Sequence, residues 1–243
     1  MAARDSKEIS AIIFDIDGTL IEPMKMSPFE LHKKFINQIC GDIYSFSDDQ
    51  ISIALGRASD EMWQTIPTHE PHCDFPEGFW KEYNRLVLAY LGVEKNLQEL
   101  TVEYRKLWIE VEDSLRVLKP NLRSTLDHLR ARGFKLGIAT NWTNPDERLS
   151  ELGIYDYFQC IEYSVVPGYR KPSPYMLIQN ARELGVNPLN CAFIGDNIDE
   201  DILAAERAGM HPILVINECR KIPKNDGSYT VIHKLNELLE IFP

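Results

Sequence analysis

The chain has 243 residues, 44% hydrophobic and 26% charged, an ordinary globular composition that excludes a disordered or collagen-like chain. Lys and Arg number 26 against 37 Asp and Glu; the formal charge of −11, with no Lys/Arg run longer than two, speaks against nucleic acid or anionic lipid as a partner. No apolar run approaches the roughly 20 residues of a membrane span, and the polar leader and five scattered cysteines without a C-x-x-C predict a cytoplasmic protein with reduced thiols.

Glu8–Asp15 is a short apolar run and predicts a buried strand. Ser27-Pro28-Phe29-Glu30 is a capping box with proline at the first helical position; Leu31, Phe35, Ile36 and Ile39 follow at helical spacing, and Gly41 closes the helix. Ser47 with Gln50 opens a second helix, expected to end near Gly56. Phe79, Tyr83, Leu86, Val87, Tyr90 and Leu91 mark a third helix, and Leu97, Leu100, Tyr104, Leu107, Trp108 and Val111 a fourth. No strand is expected between residue 21 and Pro120.

Beyond Pro120 the pattern alternates. The helix face Leu122, Leu126, Leu129 is followed by the strand Phe134–Thr140, a helix from Pro145 to Gly153 and a strand at Cys160–Tyr163. A helix over Pro172–Leu184, the strand Cys191–Gly195, a helix over Asp199–Ala208, the strand Pro212–Ile216 and a closing segment Leu235–Ile241 complete the chain. Such alternation implies parallel pairing. The expected fold class is therefore α/β: a doubly wound, Rossmann-like parallel sheet in residues 1–20 and 118–243, with an all-helical domain inserted at 21–117.

Four polar signals fall at the ends of predicted strands. In Asp15-Ile16-Asp17-Gly18-Thr19, two carboxylates two residues apart leave a buried strand on the same side, and Gly18 permits a sharp exit. Close carboxylates repel unless a cation or a shared proton relieves them, so a divalent metal suits the pair; a plain Asp-Gly turn is the other reading. Thr140-Asn141 offers a hydroxyl and amides to a phosphoryl oxygen, although a Thr-Asn turn after a strand is commonplace. Lys171 stands before Pro172 at a helix entry, a poor place for a cation unless an anion sits there too; a solvated lysine is the alternative. Asp196 follows Gly195 directly, while Asp199, Glu200 and Asp201 also complement a helix N-terminus. In a parallel sheet these strand ends share one edge, and carboxylates beside a lysine and a hydroxyl make a site for a phosphoryl group.

With these residues in view, the sequence resembles the haloacid dehalogenase-like hydrolase superfamily, in its phosphatase branch. FDIDGTL, a helical cap, ATN, GYRKPSP and GDNIDEDILAAERAGM occur in family order over nearly the whole chain. The resemblance implies Mg²⁺-dependent hydrolysis of a small phosphorylated metabolite through an aspartyl-phosphate. It makes Asp15 the nucleophile and Asp17 the general acid/base, with Thr140, Asn141 and Lys171 on the phosphoryl group. Asp15, Asp196 and the Asp17 carbonyl resemble the metal site, supported by Gly18, Thr19, Gly195 and Asp201, the last positioning the lysine or the metal shell. Trp142 departs from the family, standing where many relatives have glycine, and is expected to narrow the mouth of the site. Sugar phosphates, phosphoglycolate, nucleotides and phosphorylated sialic acids are all substrates of such relatives. A phosphomutase is the nearest alternative; a phospho-aspartate signalling or interaction protein is a more distant one. Arg57 has two readings, a substrate-reading cap residue or a solvated arginine after a helix-ending glycine. His69, His72 and Cys73 cluster on a Pro-flanked loop without a zinc spacing and are read as loop residues.

Overall fold

A computed structural model describes residues 9–22, 26–41, 43–68, 71, 74–114, 117–216 and 227–243. Six parallel strands form one sheet: β1 (Ala11–Phe14), β2 (Lys135–Thr140), β3 (Cys160–Tyr163), β4 (Cys191–Gly195), β5 (His211–Val215) and β6 (Thr230–Ile232), in the order β3-β2-β1-β4-β5-β6. The chain winds outward from β1 to β3 and then resumes on the other side at β4. The order therefore reverses between β1 and β4, the step where the strand ends of an open α/β sheet leave a crevice.

The two faces of the sheet follow from side-chain alternation. Ile12 and Phe14 of β1 point into a core with Leu122, Leu126 and Leu129 of α5 (Leu122–Ala131), Leu149 of α6 (Pro145–Glu151) and Leu238 of α9 (Leu238–Ile241). Ala11 and Ile13 point the other way, against Met176, Leu177 and Ala181 of α7 (Tyr175–Glu183) and Ala204 and Ala205 of α8 (Leu203–Ala208). Near-continuous apolar strands are the expected consequence of burial on both sides.

Four helices lie between β1 and α5: α1 (Pro28–Cys40), α2 (Asp48–Trp63), α3 (Phe79–Tyr90) and α4 (Leu97–Ser114). Both expected capping boxes form, Ser27 with Glu30 and Ser47 with Gln50. The chain separates into two compact units, one of Met24–Pro67 and Phe75–Leu115, the other of Met1–Pro23, Thr68–Asp74 and Arg116–Pro243. The helical unit has its own core. His32 packs against Trp108 at 4.6 Å between ring centroids, the rings tilted by 57°, and sits 2.5 Å from the Tyr104 hydroxyl by its Nδ1. Burial lowers the His32 pKa to about 4 and pushes the Tyr104 phenol up, so the pair is neutral at pH 7.

Four local expectations need correction. The helix α2 runs through Gly56 to Trp63, because Ile51, Ala54, Ala58 and Met62 sustain one apolar face past it. The helix α7 starts at Tyr175 and not at Pro172; Ser173 N–H donates to Arg170 O at 2.9 Å in a turn that precedes it. The segment expected as a helix from Asp199 opens as one π-helical turn, Ile198–Ile202, before α8, because Asp201 folds back to accept backbone N–H groups upstream. The strand β6 was not expected, as three residues carry no readable period. Among the described residues, no helix is long and apolar enough to cross a membrane.

Candidate active site

Parallel register brings Asp15, Thr140 and Gly195-Asp196 to one rim, since Phe14 lies opposite both Ile138 and Ile194. Asp15 N–H still donates to Ile194 O at 2.9 Å, so its side chain departs at the β1–β4 step. Gly18 then turns the chain with φ +70°, and a Cβ there would stand 2.3 Å from Asp196 Oδ2. The Asp15–Thr19 turn is thus in close contact with the Asp196 carboxylate, an approach open only to glycine.

Lys171 completes the centre. Its Nζ donates to Asp15 Oδ1 at 2.6 Å and to Asp201 Oδ1 at 2.7 Å, with the lysine 2% exposed. Asp201 Oδ2 accepts the backbone N–H groups of Asp196 and Asn197, each at 3.0 Å, which orients the loop carrying Asp196. One carboxylate oxygen each from Asp15, Asp196 and Asp201 lies within 4.8 Å of the others. Thr140 is fully buried at the end of β2; its Oγ1 accepts the Trp142 N–H at 3.3 Å and keeps its own proton to donate.

Charge burial governs the electrostatics. Burial pushes the Asp15 carboxyl up; the Lys171 ammonium pulls it back, while Asp201 and Asp17 push it up again. Burial also raises Asp17 to about 7, against the pull of Arg148 and Lys171 and with a further push from Asp196. Lys171 is the reverse case: burial draws it down, but Asp15 and Asp201 more than offset that and hold it protonated.

A profile described as haloacid dehalogenase-like hydrolase matches residues 9–209. The chain belongs to this family. Among its relatives, a glyceraldehyde 3-phosphate phosphatase of Methanothermobacter thermautotrophicus is 28% identical over 96% of this chain and 99% of its own. Another so named, from Methanopyrus kandleri, is 30% identical over 83% of this chain and 82% of its own. A crystal structure of a 2-haloacid dehalogenase from Pseudomonas syringae superposes with a TM-score of 0.65 at 21% identity, covering 96% of this chain and 97% of the other; that likeness shows the fold.

The hydrolase centre suits a hard divalent cation by its donor set. Asp15 and Asp196 present oxygens within reach of a common ion, and the upward push on Asp15 and Asp17 is what a cation would relieve. Asp201, although close, has one oxygen on Lys171 and the other on two backbone N–H groups, and so braces the loop. Such a brace fits the first of the two roles the resemblance left open for it.

Other expected residues fall differently. The Asn141 carboxamide faces the Lys171 peptide and Glu200. Arg57 sits mid-helix in α2, not on a loop after a helix end, and its guanidinium lies 4.0 Å over the Tyr90 ring of the same unit. His69, His72 and Cys73 lie outside the described residues. Sequence reading missed Arg148, a 7% exposed arginine of α6 whose guanidinium lies 3.7 Å over the Trp142 ring and acts on Asp17. An arginine within a short helix carries no sequence signal of this kind; only the unusual Trp142 beside the motif pointed near it.

Proposed function

We propose that the protein is a Mg²⁺-dependent phosphomonoester hydrolase, acting on a small phosphorylated metabolite through an aspartyl-phosphate on Asp15. The observation that carries this reading is the meeting of Asp15, Lys171 and Asp196 at the β1–β4 step: a buried carboxylate beside an ammonium and within reach of a shared cation. In the first half-reaction Asp15 attacks phosphorus and the ester oxygen departs, taking a proton from Asp17. In the second, Asp17 removes a proton from water, which attacks the same phosphorus; phosphate leaves and the Asp15 carboxylate is restored. Burial pushes the Asp17 carboxyl up, which favours the protonated form that a leaving-group acid needs. Lys171 and Thr140 hold the non-bridging oxygens, so negative charge that builds there meets an ammonium already in place. Mg²⁺, held by the Asp15 and Asp196 carboxylates and the Asp17 carbonyl, would neutralise phosphoryl charge.

The helical insertion at 21–117, with Arg57, is assigned to substrate selection. Relatives matched over most of their length are named for glyceraldehyde 3-phosphate, which makes a three-carbon phosphate the first compound to assay. The test is phosphate release from a panel of phosphomonoesters, with Mg²⁺ or with chelator, by the wild type and Asp15→Asn. Magnesium-dependent release that Asp15→Asn abolishes, with circular dichroism unchanged, is the expected result. Turnover by Asp15→Asn, or turnover indifferent to chelator, would overturn the reading.

A further inference from the structure

Lys171 is a long flexible side chain on a loop between β3 and α7, yet its ammonium is buried between two carboxylates. A lysine stem has many rotamers, so aiming it depends on how firmly its own peptide is held. Asn141, from the loop after β2, grips that peptide on both sides. Its Oδ1 accepts the Lys171 N–H at 2.8 Å, and its Nδ2 donates to Lys171 O at 3.3 Å. The same Nδ2 donates to Glu200 Oε2 at 3.2 Å, which ties in the turn that carries Asp201. Arg207 of α8 secures the next residue by donating to Pro172 O at 2.9 Å.

A carboxamide has two N–H donors, and here both are committed. The orientation is unambiguous, because Nδ2 faces two acceptors and Oδ1 faces a donor. No N–H of this side chain remains to bind a substrate oxygen. We infer that Asn141 is a positioning residue: its carboxamide clamps the Lys171 peptide to the Glu200 turn and so aims the ammonium at Asp15. This deepens the hydrolase reading above and leaves the phosphoryl contact expected of Asn141 to its backbone amide.

Two measurements test it. In substrate-free protein labelled with ¹⁵N-lysine, the Lys171 ammonium resonance is identified by its loss in Lys171→Met. Asn141→Ala should speed hydrogen exchange at that ammonium by about tenfold or more, since the brace on its peptide is gone. Asn141→Asp should do the same although it keeps the acceptor, because both donors are replaced by lone pairs facing Lys171 O and Glu200; it also serves if the alanine variant fails to fold. Unchanged exchange in a folded variant overturns the clamp. The second measurement is a double-mutant cycle on kcat/KM with Lys171→Met. Asn141→Ala should cost about tenfold in the wild-type background and less than about twofold without the lysine. Equal factors in both backgrounds would make Asn141 a direct substrate ligand. If no phosphomonoester is turned over, the hydrolase reading fails, while the exchange measurement still decides the clamp.

Discussion

Gly195 ends a buried strand, where backbone geometry would accept many residues. Its constraint comes from across the loop: an added Cβ would lie 2.3 Å from both Cβ and Cγ of Asp201. Relief would have to move the residue that braces Lys171 and the Asp196 loop. Gly195→Ala should therefore cost about 1–3 kcal/mol as a shift in the urea midpoint, and disturb the site as well. Gly56 is the opposite case. It lies inside α2 with nothing within 4 Å of an added Cβ, so Gly56→Ala should raise stability by about 0.5–1 kcal/mol through helix propensity. Two glycines in one chain thus give opposite signs in the same measurement.

Among the elements, α7 docks on β2 through a polar insertion. Asn180, fully buried, donates from Nδ2 to Ile138 O at 2.6 Å, and its Oδ1 occupies the space beside Gly137, 2.1 Å from where a Cβ would stand. The glycine is the room that lets a helix amide reach a strand carbonyl. Gly137→Ala should destabilise by about 1–3 kcal/mol. The loss should shrink in an Asn180→Ala background, measured as a double-mutant cycle by urea unfolding. Equal losses in both backgrounds would mean the strand is strained for another reason. The π-helical turn before α8 obeys the same logic, since an element bends locally where one side chain has long-range partners.

For the molecule as a whole, two units with separate cores should respond differently to acid. His32 is folded with a pKa of about 4 against an ordinary 6.5, so between those values the unfolded chain binds more protons. Its contribution is present above about pH 6.5, is lost as pH falls toward 4, and amounts to about 3 kcal/mol, borne by the helical unit. Trp63, Trp80 and Trp108 lie in that unit and Trp142 in the other, so Trp142→Phe leaves fluorescence as a reporter of the helical unit alone. In that background the fluorescence-detected urea midpoint should fall from pH 7 to pH 4. The fall should be smaller after His32→Gln; an identical slope would rule out this histidine as the source.

What the sequence determined by itself was local or periodic. The strand-to-glycine turns at Asp15–Gly18 and Gly195-Asp196, the two capping boxes and the alternation beyond Pro120 are contiguous patterns, and the parallel α/β core follows from them. The order of the polar motifs then pointed to one rim and to the family. Contacts whose partners are remote in the chain were decided only by the tertiary structure: Lys171 with Asp15, 156 residues apart, the Asn141 grip on Lys171, and Asn180 on the Ile138 carbonyl. The physical reason is that a hydrogen bond depends on distance and direction in space. Spacing along a chain encodes these only within a single turn, strand or helix.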